Sequence, residues 1–222
     1  MQLHLIFLVV LMIGANAMAV EEPKFETVLQ EAKFEVRQYA PLIVAETWVE
    51  GDMDAASGKG FRLIADYIFG NNKAPHNAAS AKVAMTAPVT LEPQGISTKV
   101  AMTAPVTVQP EPGSQGMAGV QRWRVHFVMP GQYTMATLPT PNNSAVTLRE
   151  VPAKRVAVAT YSGFNTDSRI QDETQSLVAW MQARKLLAAG PAQLARYNPP
   201  WTLPMWRRNE IHIEISPATP AP

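Results

Sequence analysis

The chain has 222 residues, with 19 Lys and Arg against 18 Asp and Glu, for a net charge of +1. That balance argues against nucleic-acid binding, which needs clustered surplus positive charge; 47% hydrophobic and 17% charged residues indicate a globular chain. With no cysteine, thiolate haem ligation, c-type haem attachment, Cys-based zinc sites, iron–sulfur clusters and Cys nucleophiles are all excluded.

The N-terminus carries an uninterrupted apolar run over residues 5–13, followed by Gly14-Ala15-Asn16-Ala17-Met18-Ala19. Small residues at Ala17 and Ala19 match an A-x-A cleavage site, which predicts a signal peptide over residues 1–19 and a mature chain over 20–222. The expected location is the periplasm or the medium. The run falls short of the about 20 apolar residues that span a bilayer. Because residues 1–4 hold no Lys or Arg, an uncleaved anchor is the alternative. No later segment reads as membrane-spanning, so no membrane contact is expected after cleavage.

Residues 34–49 are rich in β-branched and aromatic side chains around an Ala40-Pro41 turn, which predicts two strands. Over residues 55–69, Phe61, Ile64, Ala65 and Ile68 recur at helical spacing, and Gly70-Asn71 ends the pattern. Trp123, Val125, Phe127 and Met129 alternate with Arg124, His126 and Val128, a strand with one buried and one wet face. Strands follow over residues 146–151 and 155–161. A helix starts near Ser168, where Ser168-Arg169-Ile170-Gln171 fits a capping box. Ile170, Thr174, Leu177, Val178 and Met181 form its buried stripe, and Gly190-Pro191 ends the region. Ile211, Ile213 and Ile215 alternate with His212 and Glu214 as a closing strand.

These elements repeat. Val36-Arg37-Gln38, Val44-Ala45 and Gly51 parallel Leu148-Arg149-Glu150, Val156-Ala157 and Gly163 at a constant offset of 112 positions. Leu63-Ile64-Ala65 parallels Leu177-Val178-Ala179, and residues 87–91 parallel residues 199–203. An internal duplication of a β-β-α-β-β unit, over about 24–130 and 140–216, accounts for this order. Two such units pairing about a pseudo-two-fold axis predict an α+β domain, a distorted antiparallel β-barrel with two flanking helices. A shorter repeat lies inside the first unit: residues 82–90 recur intact as residues 99–107. It reads as a local duplication lengthening a hairpin around Gln94-Gly95, with a doubled ligand-contacting segment as the alternative.

Lys82-Val83-Ala84-Met85-Thr86-Ala87-Pro88-Val89, and its second copy, resemble the K-I-A-M-T-A-P-V signature of the SOUL haem-binding family. Phe127-Val128-Met129-Pro130 resembles that family's F-x-M-P strand end. Residues 197–204 followed by Arg207-Arg208-Asn209-Glu210 resemble its Y-x-P-P-W…R-R-N-E segment. The similarity runs from about Glu26 to Ile215. It implies a distorted barrel with two helices, similar to GyrI-like ligand-binding domains. It also implies non-covalent binding of haem or a related porphyrin, without redox or hydrolytic chemistry. In that family the haem lies between the first helix and the loop joining the last two strands, which here are residues 59–69 and 197–208.

A haem needs a flat apolar slot and a cationic rim. In the loop, Trp201, Met205 and Trp206 suit the porphyrin face, and Arg207 and Arg208 suit its propionates. The alternative is that Trp201 fills the core and the arginines pair with carboxylates such as Glu210. On the helix, Lys59 and Arg62 are the propionate candidates and Leu63 and Tyr67 the ring contacts, against a plainly solvated face. The loop carries Thr202-Leu203 where some relatives have a lysine. His76, after the first helix, is the candidate axial ligand, against an ordinary loop histidine. His126 and His212 occupy related strand positions, either solvated or paired across the pseudo-axis. Some family members bind haem without a strong axial ligand.

The expected function is therefore a monomeric, non-enzymatic tetrapyrrole carrier or buffer. Two alternatives stand beside it. One is a GyrI-like small-molecule hydrolase or binding domain, with Glu46 or Glu214 as a base. The other is a protein-interaction module using the Trp206 loop. There is no G-x-S-x-G, H-E-x-x-H or phosphate-loop motif.

Overall fold

A computed structural model describes residues 21–94, 122–199 and 201–216. The predicted signal and the second copy of the short repeat lie outside the described residues. The elements in chain order are β1 (Phe25–Glu31), β2 (Phe34–Tyr39), β3 (Leu42–Glu50), α1 (Met53–Ile68), β4 (Asn72–Lys73), β5 (Val89–Pro93) and β6 (Arg122–Val128). They continue with β7 (Thr140–Pro141), β8 (Thr147–Val151), β9 (Lys154–Tyr161), α2 (Asp167–Ala183), β10 (Ala188–Arg196) and β11 (Asn209–Ile215). Among the described residues no helix is long and apolar enough to cross a membrane.

Nine strands form one antiparallel sheet in the order β1-β2-β9-β11-β10-β5-β6-β3-β8, with β4 and β7 paired apart. Without the edge strand β1, that order reads the same from both ends once β2 is exchanged with β8, β3 with β9, β5 with β10 and β6 with β11. The register agrees: Leu42 pairs with Val151, and Lys154 pairs with Tyr39, each the counterpart of the other at the 112-position offset. The duplicated unit is thus visible in the hydrogen bonding. One parallel from the sequence is corrected, because β5 corresponds to β10, and residues 199–203 lie instead in the loop after β10.

The expected barrel is also corrected: the sheet is not closed. β2 and β3 do not pair with each other. β2 joins β9 and β3 joins β6 and β8. Each unit thereby donates its first strand to the other. The links Ala40-Pro41 and Pro152-Ala153 connect strands at opposite ends of the paired order, so the sheet must curl until its ends nearly meet. Pro41 and Pro152 have no N–H to give to a closing ladder.

Both helices cover one face of the sheet. Trp123, Val125, Phe127, Leu194, Ile211 and Ile213 meet Ile64, Ile68, Ile170 and Leu177 there in one continuous core. Asp52 caps α1, its side chain accepting from the Ala55 N–H at 2.8 Å. The buried stripe runs through Ala56, Gly60, Ile64, Tyr67 and Ile68. A Cβ on Gly60 would lie 2.6 Å from the Val125 side chain, so glycine is what lets α1 approach β6. α2 begins earlier than the sequence suggested, with Thr166 as its cap accepting from Arg169 N–H at 3.3 Å. Gly190-Pro191 does not end an element. It lies within β10, where the ladder to β11 slips between Ala188 and Ala192; a proline is tolerated at such an irregularity.

The first copy of the short repeat enters the sheet. Val83, Thr86 and Ala87 are buried, and Val89 and Thr90 belong to β5, which pairs with β6; the hairpin expected around Gln94-Gly95 runs into residues outside the described ones. Deleting residues 99–115, one unit of the duplication, is therefore expected to leave the fold intact. It cuts the β5–β6 connection to less than half its length, and the entropic cost of closing a connection falls by only about 0.6 kcal/mol per halving of its length. Urea denaturation checks this; a strongly destabilised deletion variant would show that the second copy carries the strand.

Candidate functional site

The loop between β10 and β11 is fastened by its own backbone. Tyr197 N–H donates to Arg208 O at 3.2 Å, Thr202 N–H to Pro199 O at 3.0 Å and Trp206 N–H to Leu203 O at 2.9 Å. Pro204 opens a short 3-10 turn, Pro204–Trp206, a position where its missing N–H is not needed. The neighbouring β9–α2 link is tied to this turn by Gly163 N–H donating to Pro204 O at 2.9 Å. Held in this way, the loop turns its large apolar side chains outward. Trp201 is 83% exposed and Trp206 72%, with Leu203, Met205 and Phe164 exposed beside them. Single exposed apolar residues are ordinary, whereas a contiguous group on a fixed loop marks a contact surface.

A cleft of about 520 Å3 separates this loop from the start of α1. Asp52, Asp54 and Asp167 line it together with Phe164, Arg196 and Arg207. Arg196 bonds Asp54 at 2.8 Å and Ser57 at 3.2 Å. Arg207 donates from Nε to Thr202 O at 2.8 Å and stacks over the Phe164 ring at 5.7 Å. The patch thus has one arginine at its edge, anchored and facing the cleft.

The structure brings Trp201, Met205, Trp206 and Arg207 together as the sequence suggested, and the Trp201 side chain is outside the core. It places Arg208 elsewhere. That guanidinium bonds Glu22, lies 3.5 Å over the Tyr197 ring and approaches Glu210 at 3.8 Å, so it serves the fold. Lys59 and Arg62 are exposed on α1, about 7.5 and 12 Å along the helix axis from Asp54. Leu63 packs partly against the core. Tyr67, expected near the surface, is 1% exposed and donates its hydroxyl to Pro139 O at 2.9 Å. Burial and the neighbouring Tyr133 push its pKa up to about 12. Phe61, expected in the core, is partly exposed against the Phe127 ring at 5.6 Å.

His76 is exposed in the turn after β4, beyond the C-terminal end of α1. The 16 residues of that helix extend about 24 Å, and the loop stands at the other end. One porphyrin cannot meet both. His126 and His212 sit on the face opposite the helices, lining a common hollow. Among the described residues no group of three or more His, Asp or Glu is placed to hold a metal ion.

That second face holds buried ion pairs, for which the sequence suggested the carboxylates Glu46, Glu210 and Glu214 but not the partners Arg37 and Arg149. Glu210 accepts from Arg37 Nη1 at 2.8 Å and Nη2 at 3.1 Å. It also accepts from Tyr197 Oη at 2.6 Å, with His212 Nε2 at 2.7 Å. Burial alone would raise the Glu210 pKa, but His212 and Arg37 outweigh it and hold the carboxyl far below the usual carboxylate range. In the other unit Arg149, the counterpart of Arg37, donates to Glu46 Oε2 at 3.0 and 2.8 Å. Glu46 is therefore committed to an ion pair, while Glu214 is partly exposed beside Lys154 at 3.4 Å. A further hollow, about 890 Å3, lies between residues 21–24, the β2–β3 link and residues 129–134, and Glu21, Glu22, Lys24 and Glu150 line it.

Residues 20–97 and 92–214 match the family model described as SOUL heme-binding protein. The two matches overlap over residues 92–97, between the two copies of the short repeat. No curated protein sequence matches the chain. In solved structures the fold is similar to the C-terminal domain of EcmrR, with TM-score 0.53 and 11% identity over 82% of this chain and 96% of that one. It is equally similar to a hydrolase from Listeria innocua, with TM-score 0.53 and 11% identity over 85% and 94%. At such identity the likeness is one of fold.

Proposed function

The chain belongs to the SOUL heme-binding protein family, and from that membership we propose that it seats haem or a related tetrapyrrole on the loop patch, as an exported carrier or buffer that catalyses no reaction. The observation that supports this reading is the exposure of Trp201, Leu203, Met205, Trp206 and Phe164 on one fastened surface beside Arg207. A macrocycle gains by covering such a surface, and its propionates gain from a guanidinium at the edge. Lys59 and Arg62 extend the cationic side along α1. Haem brings its own iron and absorbance; the protein's part is to hold the plane and shield one face. Met205 is the patch residue able to approach iron, so ligation is weak in this account.

Haemin added to the purified mature chain is expected to give a saturating, one-to-one shift of the Soret band at micromolar concentration. His76→Ala is expected to leave that spectrum unchanged, because His76 lies beyond the far end of α1. Absence of saturation removes the proposal. A band changed by His76→Ala would move the haem to the other end of the helix.

A further inference from the structure

The curl of the sheet makes the face away from the helices concave, and a cavity of about 300 Å3 opens there at the pseudo-two-fold axis. Strands of both units line it: Thr90 on β5 and its counterpart Gln193 on β10, and His126 on β6 and its counterpart His212 on β11. Leu42, Val44, Val128, Val151 and Val156 give part of the wall an apolar surface.

The side chains that line it carry three cations, Arg124, Arg149 and Lys154, against two carboxylates, Glu92 and Glu214. An arginine carries five N–H donors and a lysine three. Arg149 uses two of its donors on Glu46 Oε2. Arg124 directs two at Glu92 Oε2, an oxygen that also accepts from Gln193 Nε2 at 3.1 Å. Lys154 has one long contact, 3.4 Å, to Glu214. These contacts fall on one oxygen each of Glu46, Glu92 and Glu214, and each of the three cations has N–H groups beyond them. His126 lies among them, between its cross-strand neighbours Glu46 and Thr90, and its buried Nδ1 has no hydrogen-bond partner. Burial, with Lys154, Arg124, Arg149 and His212 around it, drives the His126 pKa well below its ordinary value. The ring is therefore neutral, and its surroundings disfavour a further positive charge.

We propose that this cavity binds a small amphipathic carboxylate, its oxygens among Arg124, Arg149 and Lys154 and its apolar body against Leu42, Val44 and Val156. The site stands apart from the loop patch and does not depend on tetrapyrrole binding.

Benzoate, benzamide and benzamidine share a shape and differ in charge, so calorimetric titration of the mature chain with each tests the proposal. Benzoate is expected to bind saturably, with benzamide and benzamidine at least about tenfold weaker, since charge-assisted hydrogen bonds are roughly twice as strong as neutral ones. Lys154→Gln changes a partly exposed side chain. It is expected to weaken benzoate about two- to fivefold, without altering benzamide affinity or the melting temperature. Three results overturn the proposal: equal affinity for the three probes, preference for benzamidine, or no benzoate binding at millimolar concentration. Unchanged benzoate affinity in Lys154→Gln would also overturn it.

Discussion

Glu210→Ala is expected to cost about 3–5 kcal/mol of unfolding free energy, the range for removing one partner of a buried ion pair. Glu210 is 1% exposed and holds together strands from both units: Arg37 on β2, Tyr197 after β10 and His212 on β11. Without it the Arg37 guanidinium stays inside with Glu35 as its remaining carboxylate, and the Tyr197 hydroxyl loses its acceptor. The effect should depend on pH in a defined direction. The folded pKa of Glu210 is depressed, so its contribution is complete above the ordinary carboxylate value of about 4.3. It shrinks as the pH falls below that value and is gone once the pH passes the depressed folded value. Urea denaturation of both proteins at neutral and strongly acid pH checks this. A wild-type advantage that grows on acidification would contradict it.

Trp201→Ala with Trp206→Ala is expected to weaken haemin binding by about ten- to a hundredfold. Each indole carries 150–250 Å2 of surface, and covering about 100 Å2 between the two is worth roughly 2.5 kcal/mol. Both side chains are mostly exposed in the free chain, so the melting temperature should stay within the small range typical of surface substitutions. This separation of binding from stability is the useful feature. Loss of both together would mean that the indoles support the loop, and the patch would not be a docking surface.

Much of this arrangement was legible in the amino-acid order because it depends on local pattern. The alternation through Trp123 and Ile211 set β6 and β11 with the correct faces, and the 112-position offset foretold the paired units. The apolar residues of the Pro-rich loop proved exposed and grouped. Other features depend on partners distant in sequence. Nothing near Ala40-Pro41 says that β2 leaves β3 for β9, so the open curl could not be read from the turn. The face of α1 was misplaced because Ala56 and Gly60 are too small to signal burial, although Gly60 sets the approach to Val125. That turned Tyr67 inward and Phe61 outward. Arg124 looked like a wet strand position, yet it joins Arg149, Glu46 and Glu92 in one half-buried cluster, and Arg37 pairs with Glu210 in another.

The central claim, a planar guest on the loop patch, is tested most directly by paramagnetic broadening in the 1H–15N spectrum during titration with ferric haemin. The account predicts that the indole signals of Trp201 and Trp206 and the amides of Phe164, Met205 and Arg207 fade first, while those of His76 and Glu150 persist. Early loss centred on residues 129–134, or on the turn around His76, with the two indoles unaffected, would contradict it.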